Sequence, residues 1–395
     1  MRMSALAFIS TALITSGFLA HAERLEVRVR VKKELSAIEL SGLGMRISSP
    51  GSAMPVSAVP EGMTKVKITR PKGQWLVRWL ETKSTEQFQS ERLMVRGQVL
   101  RIGLEPVPYD LEVIPNPSGG MDVIANLDLD TYIAGVLPAE MPVAWPLEAL
   151  KAQAVAARSF VLRMARERRS RHFDVDSTII DQVYKFLHQA ESDADLKNKL
   201  NRAIRETQGQ VLLDARGRVL KAFYSADCGC QTEDPRFVWG HTDSFASVKD
   251  HTCNKRKPLV WDVAVNRLDV RKKLVAALGL PADSHIKTVQ VAAKTPSGRV
   301  SDLVATMTVN GKTHPYMLSA HDFRRIFGFK KIRSADFSVQ WLGDEMHVRG
   351  AGSGHGVGLC QTGAKELAAE GSGYKDILKF YYPKAKLSRL RTMAG

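Results

Sequence analysis

Apolar and polar positions alternate from residue 24 to 31, with Leu25, Val27, Val29 and Val31 on one side. A period of two predicts a strand with one buried face. Shorter β patterns follow at 65–68, Trp75–Trp79 and 93–103. Between them, residues 48–62 are rich in Gly, Pro, Ser and Ala and read as a loop. Residues 23–91 are thus expected to form a small β-rich accessory region. It holds no cluster of His, Asp and Glu that would suggest chemistry.

The pattern changes near residue 92. Strand-like pieces at 109–114 and 121–126 come first. After Pro146, Leu147, Leu150, Ala154, Ala157, Val161 and Met164 recur at three- and four-residue steps, which predicts a long helix. Pro146 and Glu148 suit its first turn, and Arg163, Arg166, Arg168 and Arg169 load its C-terminal end. A second helix is expected over 193–207. A strand at Gln210–Leu213, a glycine turn and a strand over 219–224 follow. Residues 260–348 read as β-rich, with helices at 270–278 and 321–327. Two more helices close the chain, at 364–370 and 374–380. No repeat appears, and no regular βαβ alternation. The fold class is α+β: a β-rich domain over 92–391 with a long helix after the loop that carries Glu140, preceded by the small N-terminal β region.

The first 22 residues change the compartment. Arg2 precedes an apolar run from Ala5 to Leu19, and Ala20-His21-Ala22 is a small-residue cleavage site. The expectation is a signal peptide and an exported protein, in the periplasm or cell envelope. The alternative, an uncleaved anchor, has a short span for a bilayer. No later stretch could span one. The net charge is +16, and +15 without Arg2. A basic exported protein is drawn to polyanions such as wall polymers or lipid headgroups. Nucleic acid is not expected, since no helix-turn-helix, RNP or zinc-finger spacing occurs.

Glu140 is the first chemical candidate. Pro138 and Pro142 stiffen the chain around it. Val136, Leu137, Met141, Val143 and Trp145 surround it with apolar surface. Burial there should raise its pKa, as a general acid requires. The alternative is a carboxylate that merely caps the coming helix. Lys151 and Arg158 lie seven residues apart on one helix face, as groove residues or as a solvated face. His355 sits in the glycine-rich run Gly350–Gly358, where it could meet substrate, orient Glu140, bind metal or fix the loop. The run lacks the Lys-Ser/Thr of a phosphate loop. Ser225, in Tyr224-Ser225-Ala226-Asp227-Cys228-Gly229-Cys230, lacks a G-x-S-x-G elbow. Asp181-Gln182-Val183-Tyr184 reads as a sugar-binding surface or as a core edge. Cys228, Cys230, Cys253 and Cys360 give an even count, which favours disulfides in an exported protein. Cys228–Cys253 is the expected pair. A zinc site of all four thiols is the alternative.

These residues form a series. YIAGVLPAEMP and WPLEALKAQAVAARSF resemble the SpoIID/LytB family, that is, stage II sporulation protein D and its relatives. DQVY, YSADCG, VWG, SGRV, FRRIFG, GHGVGLCQTGA and ILKFYYP follow in the family's order. The resemblance covers roughly residues 92–390. It implies a lytic transglycosylase acting on peptidoglycan glycan strands, with Glu140 as catalytic acid and base. Lys151, Arg158, Tyr184, Ser225, His355 and Gln361 become expected substrate contacts. No cofactor is required, although some relatives bind zinc. A cell-wall amidase is an implied partner, and glycan stripped of its peptides an implied substrate. Gly229-Cys230 departs from the Gly-Gly of many relatives, and Ser353 departs as well.

Overall fold

A computed structural model describes residues 26–50, 62–178, 181–184, 193–240, 246–255 and 257–390. The expected signal peptide and most of the 48–62 loop lie outside these residues. The predicted α+β class is observed.

Ten strands form the largest sheet. Its order is Val175–Asp176, Glu26–Leu35, Met121–Asp128, Leu111–Pro115, Leu93–Ile102, Ala37–Ser48, Met63–Thr69, Trp75–Trp79 and Thr85–Phe88. Glu105–Val107 joins Leu93–Ile102 as a tenth strand. The alternation expected near the N-terminus is real: Val27 and Val29 are fully buried, opposite Leu127 and Ala125. Met63–Thr69 alternates in the same way, with Val66 and Ile68 buried. The sheet runs across the boundary expected at residue 91, since Leu93 pairs with Val113 and Met94 with Ser48. The N-terminal strands therefore share a core with the chain that carries Glu140.

The helices are α1 (Leu129–Glu140), α2 (Leu147–Glu167), α3 (Ala194–Glu206), α4 (Arg236–Trp239), α5 (Arg267–Leu278), α6 (Ala320–Phe327), α7 (Gln361–Ala369) and α8 (Tyr374–Tyr381). Helix α1 leaves the sheet directly, capped by the Asp128 carboxylate on the Thr131 amide. Helix α2 was expected to be amphipathic, but most of its surface is buried. It is packed by α1, α3, α7 and α8. Ala149, Ala152, Ala154, Ala156 and Ala157 let those neighbours approach closely, and a helix enclosed on all sides is a core helix. The strand expected over 219–224 is mostly absent. Only a bridge at Val219 and the short strand Tyr224–Ser225 form, and the latter pairs in parallel with Leu359–Cys360.

A second core lies within the expected 92–391 unit. Trp261, Val270, Leu274, Leu303, Phe323, Phe337, Met346 and others are buried together. They sit between the sheet of Val260–Asn266, Glu345–Ala351 and Phe337–Leu342 and the sheet of His285–Lys294, Val300–Val309 and Lys312–Ser319. Helices α5 and α6 pack against these strands. Among the described residues no helix is long and apolar enough to cross a membrane.

Candidate active site

Glu140 is the last residue of α1, not part of a loop. Pro138 lies inside the helix, and the Met141 amide closes the last turn on Leu137. The helix is anchored by buried Tyr132, Ile133, Val136 and Leu137, so it delivers Glu140 to the rim of the main core. The carboxyl is partly buried. Its Oε1 accepts the backbone N–H of Val183 at 2.8 Å. Burial holds its pKa above the usual carboxylate range, against opposing pulls from the Val183 amide and the Gln361 side chain. The expected raised pKa is thus present, with burial as its cause. Among the described residues, the groups acting on this carboxyl are an amide and a carboxamide, and no second carboxylate is among them.

Asp181 to Tyr184 explain how the carboxyl is held. Asp181 takes both Nη groups of Arg168, at 2.5 and 2.9 Å, and the Asp176 amide at 2.7 Å. That fixes the segment to the end of α2 and to the sheet. Gln182 is buried; it accepts the Tyr132 hydroxyl at 2.7 Å and donates to the Ala157 carbonyl. Val183 supplies its amide. Tyr184 stacks on Tyr132 with parallel rings, 5.6 Å between centroids. Burial raises the pKa of Tyr132 and Tyr224 well above the ordinary phenol range, with the Glu140 charge adding to it. Both hydroxyls therefore stay protonated beside the acid. Tyr132, Gln182 and Tyr224 were not singled out from the sequence, although all three stand within the quoted motifs.

Gln361 opens α7, whose N-cap is Cys360: its Sγ accepts the Gly363 amide at 3.4 Å. Pairing of Leu359–Cys360 with Tyr224–Ser225 brings Gln361 and Tyr224 to Glu140 from the far end of the chain. The Gln361 Nε2 is buried, without a closed hydrogen bond. Ser225 is buried too, and its Oγ has no partner.

Other expected contacts stand elsewhere. Arg158 is fully buried and donates to the carbonyls of Thr207 and Gln210 and to Asp130. Lys151 is 7% exposed and bridges Glu148 and Glu206. The seven-residue spacing does put them on one face, but that face packs inward on α3 and the 207–210 turn rather than lining a groove. His355 is a partly buried ring set edge-on to Trp239 and Phe223. Its Nδ1 accepts the Val357 amide at 3.0 Å. Burial and the nearby charges of Arg324 and Arg299 press its pKa down to about 3, so it is neutral. This is the loop-fixing reading of His355.

The cysteines pair differently from the expectation. Cys230 bonds to Cys253, with 5.4 Å between Cα atoms. Left-handed backbone at Gly229 (φ 62°) and Cys230 (φ 84°) turns consecutive thiols apart. Cys230 thereby faces Cys253, while Cys228 faces inward. Cys228 Sγ donates to Asp250 at 3.3 Å, and its amide donates to Cys360 Sγ at 3.2 Å. The four-thiol zinc set is therefore not available. Among the described residues, Cys228, Asp250 and Cys360 bring one donor each within 4.8 Å of one another. The neighbouring Cys360 thiol, burial and the Asp250 carboxylate push the pKa of the Cys228 thiol up.

Comparison with known proteins fits this geometry. A family profile described as "Stage II sporulation protein" matches residues 117–213, which include Glu140 and Asp181–Tyr184. A profile for a domain of unknown function matches 242–358. Stage II sporulation protein D of Bacillus subtilis is 31% identical over 320 residues, covering 76% of this chain and 86% of that protein. An uncharacterized protein of Brachyspira hyodysenteriae is 31% identical over 268 residues, covering 66% and 67%. The amidase enhancer of Bacillus subtilis is 28% identical over 297 residues, covering 65% of this chain and 40% of that protein.

Proposed function

The chain belongs to the family of stage II sporulation protein D, and from that premise we propose that it is an exported lytic transglycosylase of peptidoglycan glycan strands. The observation that carries this reading is a partly buried carboxyl, Glu140, with a raised pKa and, among the described residues, no second carboxylate acting on it. Most glycosidases that use water work with a pair of carboxylates, the second as nucleophile or to activate the water. An intramolecular reaction needs one. Protonated Glu140 gives its proton to the oxygen between N-acetylmuramic acid and N-acetylglucosamine, and the C1–O bond breaks. The C6 hydroxyl of the same muramic acid then attacks C1 as the Glu140 carboxylate takes its proton. The products are a 1,6-anhydro end and a free 4-hydroxyl, with no water consumed and Glu140 protonated again.

Val183 and Gln361 suit this cycle. Each stabilises the carboxylate after the proton has left, while burial keeps the proton in place before. Tyr184 and Ser225 are proposed contacts for the sugar on the same side. No cofactor enters the step. A structural zinc would fall to Cys228, Asp250 and Cys360, as a clamp on the fold. A cell-wall amidase is a proposed partner, which would prepare peptide-free glycan; a relative is itself named an amidase enhancer.

The test is digestion of purified glycan strands, with and without peptides, followed by mass analysis. Wild type should release fragments with anhydro ends. Glu140→Gln should lose about 100-fold or more of that activity. Equal release by both proteins, or none by either, would remove the assignment. Glycan binding without any cleavage would turn the reading to a non-catalytic activator of the amidase.

A further inference from the structure

The unit with the second core falls within the profile of unknown function. Polar side chains tie it to the body around residues 228–233. From the body, buried Glu233 accepts the hydroxyls of Thr295 and Ser297, at 2.6 and 2.7 Å. Both stand on the turn between His285–Lys294 and Val300–Val309. From the same turn, Arg299 reaches back. Its Nη2 donates to the carbonyls of Cys228 (2.5 Å) and Gln231 (2.7 Å), and Nη1 donates to Ser297 at 3.0 Å. Arg299 is only 3% exposed. The two side chains make a reciprocal clasp.

What the clasp grips is specific. The guanidinium lies against Gly356, where a β-carbon would overlap it, and Gly356 has a left-handed φ of 76°. The Glu233 amide donates to the Gly356 carbonyl at 2.8 Å. So the clasp holds two segments, the 228–231 turn and the glycine loop. The first follows Tyr224–Ser225, and the second leads into Leu359–Cys360 and Gln361. These short strands are paired with each other. They deliver Tyr224 and Gln361 to Glu140.

Anchorage alone would not call for this chemistry. A buried guanidinium whose hydrogen bonds end on carbonyls and a hydroxyl is costly compared with apolar packing of similar volume. Its fork fixes two carbonyls in direction as well as distance. We propose that the inserted unit is a positioning domain, in which Arg299 and Glu233 set Tyr224 and Gln361 against Glu140. The proposal rests on the reading of Glu140 as the acid.

The experiment compares Arg299→Gln and Arg299→Lys with wild type. It follows kcat and KM on glycan strands, the pH profile, and the titration of the Glu140 carboxyl by carbon-13 NMR, assigned with Glu140→Gln. For Arg299→Gln we expect kcat to fall about tenfold or more, since small misplacements cost that much. KM should change little. The fall of activity on the alkaline side should move to lower pH, because a loosened site admits water to the carboxyl. The NMR titration should move with it, and Arg299→Lys should recover part of both. A folded Arg299→Gln with wild-type kcat and an unmoved Glu140 titration would overturn the proposal. If Arg299→Gln does not fold, Thr295→Val with Ser297→Ala removes the other half of the clasp. An unmoved titration in that protein would likewise overturn it. If wild type cleaves no glycan, the transglycosylase reading fails on its own. The titration needs no turnover and still decides the positioning role.

Discussion

A general acid must keep its proton until the leaving group needs it, and for Glu140 burial does that work. The same burial has a consequence for stability. A carboxyl whose pKa is higher folded than unfolded stabilises the fold fully only below its unfolded pKa. That contribution is lost as pH rises through the folded pKa. Glu140 is therefore a burden at neutral pH and not in acid. Glu140→Gln keeps an oxygen for the Val183 amide and removes the charge. Its melting temperature should exceed that of wild type at pH 7, and the difference should vanish near pH 4. A Glu140→Gln protein that is equally stable, or less stable, at pH 7 would contradict the raised pKa. The apolar neighbours of Glu140 made the raised pKa legible in the sequence, because desolvation depends on the local residues that cover a group. The pairing with Val183 and Gln361 was not legible, because those contacts close over 43 and 221 residues of chain.

At the scale of elements, α2 shows where a period misleads. The three- and four-residue steps gave the helix its extent, yet they assumed a solvent-facing side. Small residues off the stripe those steps mark, Ala149, Ala152, Ala156 and Ser159 among them, instead allow packing all round. Arg158 is then a core cation serving the end of α3: its Nη1 bonds the Thr207 and Gln210 carbonyls, and its Nη2 meets Asp130. Arg158→Met leaves those acceptors without their donor in a buried place. It should cost about 3 kcal/mol of unfolding free energy, as for other broken buried ion pairs. Urea titration measures this. Glycan cleavage per folded molecule should stay near wild type below the transition. A cleavage defect with unchanged stability would restore Arg158 to the groove. Helix α1 teaches a similar lesson. Pro138 and Pro142 were read as the walls of a loop, but Pro138 stands in the last turn of a helix. Both readings make the chain at Glu140 stiff, so Glu140 stands out as a candidate under either local structure.

At the scale of the molecule, the chain leaves the body after Cys253, builds a second core, and returns through the glycine loop. Composition gave no sign of that excursion, because no repeat or low-complexity run marks either crossing. The cysteines mark the neck. Cys230 and Cys253 close a loop around Glu233 and Asp250, which reach the clasp and the Cys228–Cys360 cluster respectively. Closing a loop of this length removes entropy from the unfolded chain worth about 3 kcal/mol. Non-reducing peptide mapping of the protein should find Cys230 joined to Cys253, with Cys228 and Cys360 alkylated only after unfolding. Replacing both Cys230 and Cys253 by Ser should lower stability by about that 3 kcal/mol. It should also weaken glycan cleavage more than Arg158→Met does, because the loosened loop carries Glu233. A Cys228–Cys253 bridge in the map would refute the turn geometry at Gly229 and Cys230. A double serine variant with full stability and full cleavage would show that the neck does not steady the clasp, and so would separate the fold of the inserted unit from the acid it is proposed to position.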